Sequence, residues 1–407
     1  MTTGLLVTGV AGTGPVSAAP VPGDYDVSVG IDYTKIEQVA PGVEYKAFTV
    51  TTSHGSSEGH VLNVDLSNPR TSLELLHADK VAQGTTLTDM ASDKGAFAAI
   101  NADFFNMAYW ENNPGLATES ADGPEITNGE FRKAAVPAAQ RIGPKMTTGS
   151  TGREVIGVSE DGRGRVDEVS VDGWVRSPMK VRARIRGYNQ FALPQNSIGV
   201  YDAKWGAVTR KRATCGSDMN RLDPCVEDVT EVIVRKGRVV SVSDEAGSAQ
   251  LGSDEIALLG RESGAAELAN LSVGDPVNVR WFPVTSASKV PLRWAVGGFP
   301  TLVDGWLVAG LRTDLAPGTT AGVSRDGRTF TLAVVDGRSD VSVGVNLVEL
   351  AELMRQFGVD DAIQLDRGGS TEMIMKPSLS ATDYDILNVP SDGRERPFPN
   401  GIGVFVK

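Results

Sequence analysis

The sequence has little of two residue types on which many catalytic centres depend. It holds three histidines, His54, His60 and His77, and two cysteines, Cys215 and Cys225. All three histidines precede the acidic motifs of the chain, so a Ser-His-Asp triad is not expected. No histidine lies near the cysteines, so a zinc site is not expected there. The scarcity of histidine favours chemistry carried by carboxylates.

Basic residues and long apolar runs are also scarce. The chain has 39 Lys and Arg against 51 Asp and Glu, which gives a formal net charge of -12. The basic residues are scattered, so no nucleic-acid partner is expected. No stretch is long and apolar enough to cross a bilayer, so no membrane span is expected. A chain of 407 residues predicts two domains, or one large domain with insertions, of undetermined oligomeric state.

The first 23 residues carry no charge and contain the small-residue run Val16-Ser-Ala18-Ala-Pro20. That run is typical of the end of a secretory signal, although no basic segment precedes it. We interpret residues 1–23 as a residual signal-like segment and expect a secreted, extracellular or cell-envelope protein. In that setting Cys215 and Cys225 are expected to form a disulfide loop, with two reduced thiols as the alternative.

One motif joins a buried strand to a carboxylate, a glycine turn and two hydroxyls. It reads Asp361-Ala-Ile-Gln-Leu-Asp366-Arg367-Gly368-Gly369-Ser370-Thr371. Glycines let a backbone approach a ligand closely, and their N–H groups can form an anion-binding nest. The alternative interpretation is an ordinary glycine turn after a core strand. Ahead of this motif, Asn346 and Glu349 form a capping-box pattern that predicts a helix ending near Gly358.

A second segment has the same order of elements. Thr86 is the expected cap of a helix over residues 87–94, and an apolar run over residues 96–100 leads to Asn101 and Asp103. The alternative is that these two side chains only tie a turn to the backbone. Two such strand ends in one chain favour a shared site.

Three further segments fit a site built at strand ends. They contribute Gly297 and Gly298, then Asp336 and Arg338, and finally Asp392, Arg394 and Glu395 of a charged loop before the last strand. We predict that the strand ends converge on one cleft, with Asp336 orienting Arg338.

The ordered motifs resemble the phosphodiester glycosidase family, relatives of the lysosomal uncovering enzyme that removes N-acetylglucosamine from a phosphodiester. The resemblance covers roughly residues 45–135 and 290–407. It rests on six segments of this chain, which are Ile100–Phe105, Gly297–Gly305, Pro317–Gly322, Val335–Arg338, Gln364–Thr371 and Val389–Phe398. Four positions depart from the family pattern, which has glycine at Arg367, asparagine at Gln364, arginine at Gly318 and glycine at Ala102. These departures bear on the identity of the sugar more than on the reaction class.

The resemblance implies hydrolysis of a bond between a sugar anomeric carbon and a phosphodiester. Such chemistry uses paired carboxylates around an oxocarbenium-like centre. We predict Asp366 as nucleophile or base, with Asp103 or Glu395 as its partner. The predicted substrate-binding residues are Asn101, Gly297, Gly298, Asp336, Arg338, Arg367, Gly368, Gly369, Ser370, Thr371, Asp392 and Arg394. The expected partner is a glycan or glycoconjugate that contains sugar phosphate, and no cofactor is required.

Two alternatives belong to other functional classes. Asn101, Asp103, Asp336 and Asp366 could ligate a divalent cation, which would make a metal-dependent phosphodiesterase that cleaves P–O. The second alternative is a non-catalytic glycan-binding envelope protein.

The fold class expected is α+β, with a mixed β-sheet core, short helices packed on it and an inserted β-rich region. Residues 24–150 and 291–407 are predicted to form the two parts of the glycosidase domain. Residues 151–290, with short alternating runs, are predicted to form the insertion. Trp174, Trp205 or Trp281 could contact carbohydrate there, although single aromatics are more often core residues.

Overall fold

The computed structural model describes residues 22–178 and 180–407. Residues 1–21 of the predicted signal-like segment lie outside the described residues. Cys215 and Cys225 form a disulfide, which confirms the predicted pairing. No described helix is long and apolar enough to cross a membrane.

The first half of the described chain is built mainly from strands. In chain order they are β1 (Gly30–Ala40), β2 (Val43–Thr52), β3 (Gly55–Asp65), β4 (Thr71–His77), β5 (Ala98–Asn101), β6 (Glu125–Thr127), β7 (Glu130–Lys133), β8 (Glu154–Ser159), β9 (Gly164–Ser177), β10 (Val181–Tyr188) and β11 (Ile198–Tyr201).

The second half continues the same pattern. Its strands are β12 (Val229–Arg235), β13 (Arg238–Ser243), β14 (Glu255–Arg261), β15 (Asn278–Thr285), β16 (Leu292–Gly297), β17 (Phe299–Val303), β18 (Trp306–Leu307), β19 (Gly318–Val323), β20 (Thr329–Val335), β21 (Asp361–Gln364), β22 (Met373–Met375), β23 (Asp385–Ile386) and β24 (Asn400–Val406). The α-helices are α1 (Leu87–Lys94), α2 (Ser263–Leu268) and α3 (Leu347–Gln356). Short 3-10 helices span Ala108–Trp110, Pro114–Leu116, Ala138–Gln140, Lys211–Thr214 and Gly368–Ser370.

The strands form three sheets. An eight-stranded sheet has the order β1-β2-β3-β20-β19-β21-β17-β18, and a five-stranded sheet has the order β23-β22-β5-β24-β4. An eleven-stranded sheet runs β13-β12-β14-β11-β10-β9-β8-β16-β6-β7, with β15 paired to β9. Among the described strands β10 and β11 pair in parallel, and the other pairs are antiparallel.

The largest hydrophobic core lies where the three sheets meet. It joins Leu62 and Phe330 of the eight-stranded sheet, Ile100 of the five-stranded sheet, and Ile156 and Trp294 of the eleven-stranded sheet. Each large apolar side chain buried there contributes about 1.5–3 kcal/mol. This shared core brings the ends of β5, β16 and β21 into one region.

Helix α3 packs its apolar face on the eight-stranded sheet, as its sequence period predicts. Its buried face includes Leu347, Leu350 and Met354. The predicted capping box is present: the Asn346 side chain accepts from the Glu349 N–H at 2.9 Å, and the Glu349 carboxylate accepts from the Asn346 N–H at 2.9 Å. Such a cap is worth about 1 kcal/mol.

The fold is more β-rich than the predicted α+β class implies. Strands make up 42% of the described residues and helices 10%. The α-helices are few and short, with 8, 6 and 10 residues, whereas strands recur along the described chain and dominate the regular structure of the predicted insertion. Its strands β8 to β15 form one sheet with β6, β7 and β16 from outside residues 151–290. The domain boundaries themselves stay a prediction.

Candidate active site

Asn101 ties the predicted strand ends together. Its side-chain N–H donates to the Asp366 carbonyl at 2.8 Å. Its Oδ1 accepts from the Thr319 hydroxyl at 2.9 Å and from the Glu372 N–H at 3.1 Å. Asn101 is fully buried. The side chain predicted to bind substrate thus crosslinks β5, β19 and the segment after β21.

Asp366 lies in the loop that follows β21 and is almost fully buried. Its N–H donates to the Ala102 carbonyl at 2.6 Å, and its Oδ1 accepts from the Arg367 N–H at 2.9 Å. Burial raises the pKa of Asp366 to about 7, although Ser370 and Arg396 favour its charged form. The negative charge of Asp103 raises this pKa further. A carboxyl group with such a pKa can exchange a proton near neutral pH.

Asp103 is buried two residues beyond β5. Its N–H donates to Asn400 Oδ1 at 2.9 Å, and its Oδ2 accepts from the Gly123 N–H at 2.6 Å. Burial raises the pKa of Asp103, against the opposing charges of Arg141 and Lys133. The structure therefore gives both predicted carboxylates, Asp103 and Asp366, raised pKa values and a mutual electrostatic interaction.

A second buried carboxylate accompanies Asp103. Asp122 accepts from the Ile142 N–H at 2.7 Å, and burial raises its pKa to about 7. Arg141 Nη2 lies 3.5 Å from Asp103 Oδ1, and Arg141 Nε lies 3.8 Å from Asp122 Oδ2. The guanidinium also stacks over Phe299, 4.6 Å from the ring centroid. Arg141 thus bridges two carboxylates at ion-pair distance.

Four polar atoms of this group have no hydrogen-bond partner among the described residues. They are Asp103 Oδ1, Asp122 Oδ1, and the Nε and Nη2 atoms of Arg141. Buried polar atoms are usually satisfied, so unpaired ones are candidates for contact with a ligand. Asp122 and Arg141 stand outside every motif singled out in the sequence, and no local pattern signals them.

Lys133 and Glu125 complete the buried charge network. The Lys133 ammonium donates to the Ala134 carbonyl at 2.9 Å, and burial lowers its pKa to about 8. Glu125 accepts from Asn400 Nδ2 at 2.9 Å and pairs with Arg132 at 3.3 Å. These contacts connect β6 and β7 to Asn400, which in turn holds the Asp103 backbone.

Gly297 and Gly298 are required by close packing. A Cβ atom on Gly297 would lie 2.6 Å from Asp103 Oδ2 and 2.6 Å from the Gly123 Cα. On Gly298 it would lie 2.5 Å from Ile363 Cδ1. The two glycines predicted to bind substrate therefore allow the Asp103 carboxylate and β21 to approach the end of β16.

The glycine turn after Asp366 passes between two guanidinium groups. Gly368 has a φ of 78°, and a Cβ atom there would lie 2.8 Å from Arg338 Nη2. A Cβ atom on Gly369 would overlap the guanidinium of Arg396 and the carboxylate of Asp392. The positive φ of Gly368 favours glycine there, and a side chain at Gly369 would displace the Arg396 guanidinium from its observed place.

Arg396 is the cation that faces Asp366. Its Nη1 donates to the Ser370 hydroxyl oxygen at 3.1 Å, and its Nη2 pairs with Asp392. The predicted residue Arg394 is exposed instead. Arg396 stands in the quoted motif Val389–Phe398, so sequence could have indicated it.

Thr371 is buried, and its hydroxyl has no partner among the described residues.

Arg367, which replaces a family glycine, is turned away from Asp366. Its guanidinium donates to the Asp314 carbonyl at 2.7 Å and lies 3.3 Å from the Asp314 carboxylate. Burial lowers the pKa of Arg367 to about 10, and the charges of Arg312 and Arg338 act in the same direction. Arg338 itself is exposed. Its φ of 61° lies in the left-handed region, which bulky residues rarely adopt.

Asp336 does not orient Arg338, contrary to the prediction. Among the described residues it has no ion pair with Arg338. Its Oδ1 accepts from the Val389 N–H at 2.9 Å and from Asn388 Nδ2 at 3.3 Å. Burial raises its pKa to about 6. Asp336 therefore anchors the start of the charged loop.

Glu395 contacts the first turn of α1. Its Oε1 accepts from the Thr88 hydroxyl at 2.7 Å and from the Thr88 N–H at 3.1 Å. An acid at this position complements the helix dipole. The buried Glu372 lies beside it, and burial together with the Glu395 contact raises the pKa of Glu372 to about 9. Glu395 thus pairs with a protonated neighbour.

Two of the four side chains considered as metal ligands are held by other contacts. Asn101 and Asp336 are committed to the backbone contacts already described. Among the described residues, no group of three or more His, Cys, Asp or Glu side chains is placed to hold a metal ion. The remaining two of the four side chains, Asp103 and Asp366, would offer a metal ion two carboxylates between them.

A family match covers the C-terminal part of the chain. Residues 228–405 match the model of the phosphodiester glycosidase family, which confirms the resemblance predicted from the motifs. The match includes every quoted segment except Ile100–Phe105. No curated protein matches the sequence significantly.

Two solved structures share this fold. A hypothetical protein from Synechocystis matches with a TM-score of 0.67 at 18% identity, over 94% of this chain and 68% of that one. A Burkholderia pseudomallei protein described as exported matches with a TM-score of 0.68 at 15% identity, over 96% of this chain and 100% of that one. The zebrafish N-acetylglucosamine-1-phosphodiester alpha-N-acetylglucosaminidase catalytic domain, auto-inhibited by its pro-peptide, matches at 14% identity over 94% of this chain and 89% of that one. The TM-score of this third match is 0.44.

Proposed function

We propose that this protein is a hydrolase that cleaves the bond between a sugar anomeric carbon and a phosphodiester. The observation that carries the proposal is the pair Asp103 and Asp366. Both are buried carboxyl groups with raised pKa values, and they follow strands of two different sheets. Paired carboxylates of this kind suit glycosidic cleavage. The match to the phosphodiester glycosidase family supports the same reaction class.

The surroundings of Asp366 suit a phosphodiester leaving group. Arg396 and Arg338 approach the Gly368–Gly369 turn from two sides. Guanidinium groups pair with phosphate oxygens through charge-assisted hydrogen bonds. A phosphodiester leaves as a stabilised anion, so it needs a cationic clamp more than a strong general acid.

Asp366 is the carboxylate that attacks the anomeric carbon or activates water in this proposal. Arg396 and Ser370 favour its charged form, which is the form that this role requires. Asp103, beside Arg141, is its partner. In this proposal Arg141, whose Nη2 lies 3.5 Å from Asp103 Oδ1, holds the charge of that buried carboxylate.

The proposed substrate is an extracellular or cell-envelope glycan that contains sugar phosphate. The Cys215–Cys225 disulfide supports an oxidising location, because disulfides persist mainly outside the cytosol. The proposed function therefore includes that this protein is secreted.

Hydrolysis in ¹⁸O-labelled water tests the bond that is cleaved. The substrate is a synthetic N-acetylglucosamine 1-phosphodiester, and mass spectrometry locates the label. Label in the released sugar is the expected result. Label in the phosphate, with loss of turnover on chelation by EDTA, would instead establish a metal-dependent phosphodiesterase. Binding of the substrate without turnover would establish a non-catalytic glycan-binding protein.

A further inference from the structure

A row of arginines and one tryptophan crosses the outer part of the eleven-stranded sheet. Strand β9 lies between β10 and β15, and Trp174 stands opposite Arg184 of β10 and Arg280 of β15. Side chains directly opposite one another on paired strands share a face. Trp174 is therefore flanked by a guanidinium on each side.

The next row on the same face is also cationic. Arg176 stands opposite Arg182 of β10 and Asn278 of β15. Residues two apart on a strand project to one face, and the two rows are about 7 Å apart. Arg176 and Arg182 are exposed, whereas Val175 on the other face is buried in the core. We call Trp174, Arg176, Arg182, Arg184 and Arg280 the arginine face.

Most of these arginines have no acidic partner. Arg184 pairs with Asp172 at 2.6 Å. Within the described part of the chain, no carboxylate lies within 4.0 Å of the guanidinium nitrogens of Arg176, Arg182 or Arg280. The Arg176 guanidinium lies 4.4 Å above the Trp174 ring. Unpaired cations gathered on one face of a chain with net charge -12 create a local attraction for anions.

A groove lies against the arginine face. Its volume is about 800 Å³, and its lining includes Trp174, Arg176, Arg182, Val277 and Asn278. Sites for small ligands have volumes of about 300–1,000 Å³. The groove thus combines room for a few sugar units, an aromatic ring and unpaired guanidinium groups.

We propose that the arginine face binds a phosphodiester-linked sugar polymer and anchors it to the protein. This inference rests on the proposed function, since it extends the same substrate class to a second site. Guanidinium groups pair with phosphates in a fork, and the tryptophan ring offers an apolar surface to a sugar. A nucleic acid is the competing anionic polymer, because the next row on this face exposes a second aromatic ring, Phe282, and the binding test below separates the two ligands.

The arginine face is distinct from the candidate active site. Gly297, which contacts Asp103, pairs with Val155, and Val155 pairs with Asp167 of β9. Trp174 is seven positions further along β9, so strand alternation places it on the opposite face of that strand from Asp167. The arginine face therefore binds polymer without altering the chemical step.

Polymer binding by matched variants tests the proposal. The triple variant Arg176→Gln, Arg182→Gln, Arg280→Gln removes three cations from the arginine face. The control Lys35→Gln, Arg70→Gln, Arg328→Gln removes three exposed cations elsewhere and has the same net charge. Both are made in an Asp366→Asn background to prevent cleavage. The probes are a polymer of N-acetylglucosamine 1-phosphate, neutral dextran and a single-stranded DNA of equal charge.

The expected result is a Kd for the sugar phosphate polymer raised about tenfold or more in the triple variant and about unchanged in the control. An equal rise of the Kd for the sugar phosphate polymer in both variants would overturn the proposal. So would binding of neutral dextran as tight as that of the sugar phosphate polymer. Tighter binding of the DNA would assign the face to nucleic acid instead. With Asp366 restored, kcat/KM on a small sugar 1-phosphodiester should be unchanged in the triple variant. Specific polymer binding in a protein without turnover would refute the proposed function and leave this binding site standing.

Discussion

The carboxyl groups of Asp103 and Asp366 interact although they follow strands of different sheets. The negative charge of Asp103 adds to the burial that raises the pKa of Asp366 to about 7. The backbone fixes this relationship, since the Asp366 N–H donates to the carbonyl of Ala102, the residue before Asp103, at 2.6 Å. That contact fixes the backbone at residue 366 relative to the backbone just before Asp103.

Replacing Asp366 with asparagine should abolish most of the turnover. We expect kcat to fall about a thousandfold or more, because the neutral amide no longer stabilises positive charge in the transition state. The fold should be retained, since the backbone contacts of residue 366 do not depend on its charge. Steady-state kinetics and circular dichroism measure both quantities. Asp340→Asn, at an exposed position, is the control, and near-normal turnover in a folded Asp366→Asn protein would remove Asp366 from the mechanism.

The pH–rate profile should report the ionisation of Asp366. If the carboxylate is the active form, kcat/KM rises with pH through about 7. The positive charge of Arg396 lowers this pKa, so Arg396→Gln should move the rising limb to higher pH. Arg328→Gln, at an exposed position, should leave the limb in place. A profile that falls through neutral pH would mean that the protonated acid is required.

Glu372 should make the protein less stable as pH rises. In the folded state its pKa is about 9 because of burial and the Glu395 contact, against an ordinary value of 4.5. Between these values the folded state holds a proton that the unfolded state lacks, so the free energy of unfolding falls with increasing pH. Glu372→Gln removes this proton, so the free energy of unfolding should depend less on pH between pH 6 and pH 9. Urea denaturation at several pH values measures it. Glu160→Gln, at an exposed position, is the control. If the free energy of unfolding has the same slope against pH in wild type and in both variants, the raised pKa is contradicted.

Alanine at Gly369 should disturb the cationic clamp. Its Cβ atom would overlap Arg396 and Asp392. We expect kcat/KM to fall about ten- to a hundredfold, because small displacements of positioning groups are costly. Gly30→Ala is the matched control, since the nearest atom to its added Cβ lies 3.7 Å away. Equal kinetics in the two variants would show that Arg396 is not needed where it stands.

Removal of the disulfide should affect stability more than catalysis. The double variant Cys215→Ser, Cys225→Ser opens a short loop, which costs about 2–3 kcal/mol in the chain-entropy model. The Cys215 carbonyl still accepts from Arg261 at 3.3 Å and from Gln140 at 3.2 Å, so the loop should keep its place. A lower Tm with unchanged kcat is expected, and a large loss of kcat would place the loop in the catalytic machinery.

Much of the local structure could be predicted because its causes are local. Thr86 caps α1 and the Asn346–Glu349 pair caps α3, as their spacing indicates. Strand ends at Asn101, Gly297 and Gln364 follow from short apolar runs that stop at polar or glycine residues. These signals lie within a few residues of the structure they determine.

The assignment of individual side chains within the motifs could not be predicted as well. Sequence favoured Arg394, yet Arg396 faces Ser370, because two residues of the same type in one loop differ only in the direction that packing gives them. Glu395 was predicted to be catalytic, and the structure places it against Thr88 at the start of α1. That contact joins residues that are distant in sequence.

The sequence by itself determined the order of strand ends, the capped helices, the disulfide partners and the family resemblance. Only the tertiary structure decided that Asp122 and Arg141 stand beside Asp103, and that the arginine face forms on β9, β10 and β15. The physical reason is that capping and turn formation depend on neighbours in the chain. Burial, pKa shifts and cross-strand rows depend instead on which sheets meet, and that is fixed by the packing of the whole core.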